Sequence, residues 1–181
     1  CIDKELRTFI RDDIEYVLAH PMAGREVYGV RNADKKIFKG ANYIVIPNDK
    51  ASESAINAVE DIGRLLGFKN IVRLSNEEHD EMIGFLSQLT HCIAVSLMTC
   101  KESEHLVEYT GDSFRDLTRI ARINENMWSE LFLLNKEELL KQMDLFLNQF
   151  KELKETIENE DVEKMKSIMR TSTIRRSYFD D

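Results

Sequence analysis

Glycine is scarce in this chain, and its spacing excludes one common motif. The 181 residues include seven glycines, and no three of them have the Gly-x-Gly-x-x-Gly spacing. That spacing forms the turn at which a helix N-terminus holds the pyrophosphate of a dinucleotide. The sequence therefore contains no recognisable pyrophosphate-binding turn.

Signals for metal binding and disulfides are missing as well. The three cysteines and four histidines show neither Cys-x-x-Cys nor His-x-x-x-His spacing, so we expect no metal site. Cys92 and Cys100 lie too far apart on one predicted helix to pair with each other. We expect free thiols in a reducing cytoplasm.

Long apolar runs and concentrated positive charge are also absent. No apolar run approaches the ~20 residues that span a bilayer, and no signal peptide is visible. The net charge is −8, and the basic residues are dispersed, which argues against a nucleic-acid or membrane partner. A hydrophobic content of 43% with 32% charged residues is typical of a globular protein.

The first part of the chain, residues 1–75, reads as alternating helix and strand. Apolar runs at 16–19, 43–46 and 70–74 predict three strands, the first ending at His20-Pro21. Between the second and third strands, Ser52 or Ser54 starts a predicted helix that Gly67 ends. We interpret this part as the trailing strands and helices of a Rossmann-like, doubly wound domain.

The second part, residues 76–181, is predicted to be all helical. Ser75 and Glu78 form a capping box that opens a helix running to about Met98. Its second half is apolar on nearly all sides, so we expect it to be central and buried. Later helices carry more apolar surface than one core absorbs, which predicts helices shared across a dimer. The fold class is thus α+β.

Several side chains stand out from the residues alone. Arg115 and Arg119 lie four apart on one predicted helical face and suit forked binding of carboxylates, and Trp128 follows them. His20 falls where a predicted strand meets a loop, a position at which open α/β folds bind ligands. The residues leave open whether His20 is a turn residue, and whether His91 and Trp128 only fill the core.

Residues 114–128, Phe-Arg-Asp-Leu-Thr-Arg-Ile-Ala-Arg-Ile-Asn-Glu-Asn-Met-Trp, closely resemble the signature of prephenate dehydrogenases. Two further blocks are similar to the same family. They are His20-Pro21-Met22-Ala23-Gly24-Arg25-Glu26, and His79-Asp80 followed by Ser87-Gln88-Leu89-Thr90-His91. The chain departs from the family pattern at Thr90, where proline is usual, and at Asp112-Ser113, where Gly-Gly is usual.

The resemblance implies roles for particular residues. It makes His20 the base that accepts the proton of the ring hydroxyl of prephenate, and Arg119 a ligand of a prephenate carboxylate. Arg115 would be a second basic position, reaching a site shared across the dimer. The remaining substrate-binding assignments are His91, Trp128, Ser87 and Arg25.

Two carboxylates, Glu26 and Asp80, each lie near one of these histidine blocks, and we predict that they orient Arg119, since a buried guanidinium needs a counter-charge. The residues alone leave open that both are merely solvated.

The resemblance also implies an activity: oxidation of prephenate to 4-hydroxyphenylpyruvate with NAD or NADP, with arogenate as the alternative substrate. It further implies a cytoplasmic homodimer joined through a helical domain like the C-terminal domain of 6-phosphogluconate dehydrogenase, and tyrosine as a feedback inhibitor. The missing glycine turn predicts that this chain is the C-terminal portion of a larger enzyme, inactive alone. An alternative of another class is a non-catalytic helical dimerisation or ligand-sensing module.

Overall fold

A computed structural model describes residues 2–25, 27, 29–102 and 105–180. The chain forms two compact units, Cys1–Leu139 and Leu140–Asp181. Because that division does not bear on the predicted 75/76 domain boundary, the boundary stays a prediction. The strands are β1 Leu18–Met22, β2 Asn42–Ile46 and β3 Asn70–Arg73; the helices are α1 Ile2–Phe9, α2 Glu53–Leu66, α3 Asn76–Ile83, α4 Thr90–Thr99, α5 Leu106–Tyr109, α6 Asp112–Thr118, α7 Glu125–Leu134, α8 Lys136–Glu158 and α9 Val162–Ser177.

The three strands form one sheet in the order β1-β2-β3. β2 pairs with β3 in parallel and with β1 antiparallel. The core lies between this sheet and α2, where Tyr43, Val45, Ile56 and Phe68 are buried together. At Gly63 on α2, a β-carbon would lie only 2.6 Å from Tyr43 Cδ1. Glycine is therefore needed there for the close approach of helix to sheet.

The first strand differs from its prediction. We predicted that it ends at His20-Pro21, whereas β1 runs from Leu18 to Met22 and contains both residues. It lies at the edge of the sheet, where proline removes no hydrogen bond from a central ladder. His20 consequently lies within a strand, opposite Ile44 of β2, and not in the loop that follows a strand.

The predicted helix boundaries around β3 are confirmed. The Ser52 hydroxyl accepts a hydrogen bond from the Ala55 N–H at 3.2 Å, and Gly67 ends α2 with φ +84°. The predicted capping box is also present: the Ser75 hydroxyl accepts from the Glu78 N–H at 3.1 Å, and the Glu78 carboxylate accepts from the Ser75 N–H at 2.8 Å. This box fixes the point at which the chain leaves the sheet and enters the helical part.

The helix that begins there is less regular and less buried than we predicted. Between α3 and α4, residues Gly84–Leu89 form a π turn, so helical backbone continues from Asn76 to Thr99. In the half that we predicted to be central, Leu89 and Ala94 are buried, whereas Met98 is 43% exposed. By length and composition this helix could cross a membrane, but core helices of globular proteins meet the same test.

The remaining helices leave many apolar side chains uncovered, as the excess of apolar faces predicted. On α7, for example, the Leu133 side chain is 70% exposed and the Leu134 side chain 50% exposed. In the second compact unit, Asp161 caps α9 by accepting from the Lys164 N–H, and the Lys164 ammonium lies 3.0 Å from the Glu152 carboxylate. That ion pair ties α9 to α8 within the unit.

Candidate functional site

Three side chains from two parts of the chain meet at the start of the helical region. His20 Nδ1 lies 2.9 Å from His79 Nε2, and His79 Nδ1 lies 2.9 Å from Asp80 Oδ1. β1 supplies His20, while the first turns of α3 supply the other two. We call His20, His79 and Asp80 the base cluster. All three side chains are partly buried.

With both imidazoles neutral and the carboxylate ionised, the hydrogen bonds of the base cluster admit one arrangement of protons. An ionised carboxylate only accepts, so His79 carries its proton on Nδ1 and donates it to Asp80. Neutral His79 then has a bare Nε2, which must accept from the Nδ1–H of His20. His20 is thereby left with an unprotonated Nε2, which is free to accept a proton from a bound molecule.

The surroundings keep His20 in this neutral form. Burial lowers the pKa of His20 below its usual range, and the neighbouring His79 lowers it further. At neutral pH the imidazole is therefore uncharged, which is the state that a general base requires.

A second group of side chains forms where α4, which carries His91, meets α7, which carries Trp128 and Phe132. The His91 ring stacks on Trp128 with centroids 3.7 Å apart, and Phe132 packs against Trp128 at 5.4 Å. We call these three residues the aromatic stack. His91 Nδ1 donates to the Ser87 carbonyl at 2.8 Å, which leaves its Nε2 available to a ligand.

One amide holds α7 against the long helix between the two groups. Asn135 Nδ2 donates to the Asp80 carbonyl at 2.8 Å and to Gln88 Oε1 at 2.9 Å. The buried Gln88 in turn donates to the Leu131 carbonyl at 2.9 Å. These bonds anchor the end of α7, and so the helix that carries Trp128, against the helix that carries Asp80.

The two arginines of the signature lie on neighbouring segments that both contact α4. α6 ends at Thr118, and Arg119 begins a 3₁₀ turn, Arg119–Ala121. Both α6 and this turn contact α4, the helix that carries His91. Arg119 is exposed on that turn, and Arg115 is exposed on α6. The structure thus brings Arg119 to the helix of the aromatic stack, and Arg115 forms no hydrogen bond with the other described site residues.

The loop after β1 supplies one described candidate. The Arg25 guanidinium donates to the Asn32 carbonyl and lines a shallow pocket of about 380 Å³ with Asp34 and Lys36. No contact in the described part of the chain joins Arg25 to the base cluster or to the aromatic stack. Glu26 lies outside the described residues.

Sequence reasoning missed His79. His79 lies in one of the blocks that resemble the family, but its neighbours in the sequence do not indicate a role for it, since its partner His20 is 59 positions away. The one available signal was a histidine beside a carboxylate just after a capping box. Among the described residues, no group of three or more His, Cys, Asp or Glu side chains suits a metal ion.

Comparisons with known proteins show to which family the chain is similar. The family model described as "Prephenate dehydrogenase, dimerization domain" matches residues 75–171, and "Prephenate dehydrogenase, nucleotide-binding domain" matches residues 1–72. The chain is 33% identical to a prephenate dehydrogenase of Bacillus subtilis over 87% of this chain and 44% of the relative. It is 30% identical to a cyclohexadienyl dehydrogenase of Zymomonas mobilis over 80% of this chain and 51% of the relative.

Solved structures show the same fold. The crystal structure of prephenate dehydrogenase from A. aeolicus in complex with hydroxyphenyl propionate and NAD+ superimposes with a TM-score of 0.81 at 30% identity. The match covers 90% of this chain and 58% of that one. The chain spans about half the length of the curated relatives that it matches. A nucleotide-binding part followed by a helical domain is thus the architecture of this chain, which belongs to the prephenate dehydrogenase family.

Proposed function

We propose that this chain provides the proton-accepting and carboxylate-binding residues of an enzyme that oxidises prephenate to 4-hydroxyphenylpyruvate. The observation that carries the proposal is the base cluster, because it leaves His20 Nε2 unprotonated and ready to accept a hydroxyl proton. A histidine serving only as a turn residue would not need a second histidine and a carboxylate to fix its tautomer.

In the proposed reaction, the ring carbon that bears the hydroxyl loses hydride, and the ring carboxylate leaves as carbon dioxide. His20 accepts the hydroxyl proton as the hydride departs and returns it to the phenolate oxygen that results. The gain of an aromatic ring drives the step, so this chain mainly has to orient the ring and bind its charges. Asp80 stabilises the proton arrangement through His79.

The second group of residues suits the acidic end of such a substrate. Prephenate carries two carboxylates, and a guanidinium binds a carboxylate with paired hydrogen bonds. Arg119 lies on a turn that contacts the helix of His91, whose free Nε2 offers a further polar contact. We therefore assign Arg119 and His91 to carboxylate binding, and Trp128 to the wall of the pocket.

The hydride acceptor in this proposal is a nicotinamide cofactor, NAD or NADP. The relative from A. aeolicus was solved with NAD+. The glycine turn that would hold the pyrophosphate is not in this sequence, so the residues of this chain do not by themselves fit the whole cofactor. We expect chemistry only when the glycine turn is supplied.

We extend the proposal to a homodimer formed through the helical region. Phe85, Leu86, Leu133 and Leu134 are each about half exposed or more in the single chain. Apolar surface of this extent on neighbouring helices favours burial against a second copy. Light scattering on the 181-residue chain should give twice the monomer mass, and a monomer at micromolar concentration would contradict this part.

The activity is tested in the full-length enzyme by following reduction of NAD and of NADP on addition of prephenate or arogenate. We expect turnover with prephenate, and loss of turnover in His20→Asn. The matched control is His105→Asn, because His105 is an exposed histidine that also faces a carboxylate, Glu108 at 3.4 Å. Turnover with arogenate alone would reject prephenate as substrate, and no turnover with either would reject the activity.

A further inference from the structure

The π turn lies between the two groups of site residues. It occupies Gly84–Leu89, after His79 and before His91 on one continuous helix. Because a π turn closes on i→i+5 hydrogen bonds, it holds one residue more than an α-helical turn. We propose that this extra residue places His91 on the same helix face as His79. The consequence, that one ligand can meet both groups, rests on the proposed function.

Helix geometry gives the size of the effect. An α-helix advances about 100° per residue, so the twelve steps from His79 to His91 would place the two side chains about 120° apart. When the π turn absorbs one residue, eleven steps remain, and the side chains lie about 20° apart. An uninterrupted helix would point the aromatic stack away from the base cluster, whereas the π turn keeps both on one side.

A separate contact involves the same turn. Asn135 Nδ2 reaches both the Asp80 carbonyl and the side chain of Gln88, eight positions later. This contact holds both positions against the same residue at the end of α7.

Side chains also bond to the carbonyls of the π turn. The Thr90 hydroxyl lies 2.7 Å from the Ser87 carbonyl and 3.3 Å from the Leu86 carbonyl, so it is placed to donate to either. The Ser87 carbonyl also accepts from His91 Nδ1 at 2.8 Å. The ring of His91 is therefore anchored to the π turn itself, and Thr90 is a positioning residue for it.

The experiment compares deletion with insertion at one exposed position of the 181-residue chain. Deleting Leu86, which is 51% exposed, should turn the π turn into an α-helical turn and keep both histidines in phase. Inserting one alanine between Leu86 and Ser87 adds a second extra residue and should rotate one group by about 100°. The two changes are matched in place and in size but opposite in sign.

Two spectroscopic readouts follow the two groups. Trp128 is the single tryptophan of the chain, and the His91 ring stacks on it, so the Trp128 fluorescence reports the stack. Imidazole NMR resolves the four histidines and reports the His20–His79 bond through its Nδ1–H tautomers. We expect the deletion to retain both signals and the insertion to lose at least one.

The proposal is overturned by a deletion as damaging as the insertion, or by an insertion tolerated as well as the deletion. Thermal unfolding followed by circular dichroism shows whether each variant folds, and a deletion variant that fails to fold where the insertion variant folds also counts against it. If neither folds, Thr90→Val decides, because it should alter the His91 signal and leave the His20–His79 signal. An unchanged His91 signal in that variant overturns the proposal. None of these readouts uses substrate, so failure here is distinct from failure of the proposed activity.

Discussion

Replacing Asp80 with asparagine should reverse the proton positions in the base cluster. The Asp80 carboxylate only accepts, and it therefore holds the His79 proton on Nδ1. An asparagine amide can donate at the same place, which favours a bare Nδ1 and a proton on His79 Nε2. That proton then faces His20 Nδ1, so His20 is left protonated on Nε2, the atom that has to accept the hydroxyl proton.

The expected loss of rate follows from the hydrogen bond that is removed. A hydrogen bond to a charged group contributes about 1.5–3 kcal/mol. At about 1.4 kcal/mol for each factor of ten, the preference for the active tautomer falls by about 10- to 150-fold. General-base catalysis contributes about 10²- to 10⁴-fold, so kcat falls with the population of the active tautomer, by at most about 150-fold. A rise in KM in addition would show that Asp80 also orients Arg119.

The assay has two parts. Long-range ¹H–¹⁵N spectra of the 181-residue chain should show the His20 proton on Nδ1 in the wild type and on Nε2 in Asp80→Asn. Steady-state kinetics on the full-length enzyme should show the fall in kcat. The control is Glu108→Gln, which changes the exposed His105–Glu108 pair and should leave both measurements unaltered. An Asp80→Asn enzyme with unchanged kcat and unchanged His20 tautomer would refute the proton assignment.

Three further predictions concern the base, the carboxylate and the core. His20→Asn should lower kcat by about a hundredfold or more. It should also flatten the pH dependence of the free energy of unfolding: because burial lowers the folded-state pKa of His20, the wild type should lose stability as pH falls below about 6.5. Arg119→Ala should raise KM for prephenate roughly tenfold or more with a smaller change in kcat, since the carboxylate is charged before and during the reaction; a fall in kcat alone would contradict this. Gly63→Ala should lower the free energy of unfolding in urea by about 1–3 kcal/mol, because its β-carbon would overlap Tyr43, whereas Gly24→Ala, with open space around it, should have little effect.

Local signals in the sequence were sufficient for the helix boundaries near the site. Ser52, Gly67 and the Ser75–Glu78 box act within four residues of themselves, so their chemistry can be read without tertiary structure. The extent of β1 could not be read this way, because the pairing with β2 carries the strand through Pro21. The π turn was equally hidden, since apolar periodicity over one long helix does not reveal a single extra residue.

The candidate site shows the same division between local and long-range information. His20 and Asp80 could be proposed as site residues because they lie in the segments that resemble the family. The bond between His20 and His79 depends on bringing a strand against a helix across 59 positions, and neither residue type nor spacing predicts that. Gln88 and Asn135 were missed for a related reason, since a buried amide pair carries no sequence signature of its own.

The base cluster also makes the state of His20 depend on how the sheet packs against the helical region. His20 lies on the edge strand, while its partner His79 lies on α3, so one hydrogen bond of 2.9 Å crosses from sheet to helix. Both segments belong to the compact unit Cys1–Leu139, although the two family models divide the chain between residues 72 and 75. A helix shift of a few ångströms would break that bond and free His20 to take either tautomer. The proton-accepting form is therefore a property of the assembled unit and not of His20 alone. Changes at the contact between the sheet and the helix should consequently lower kcat more than they weaken substrate binding.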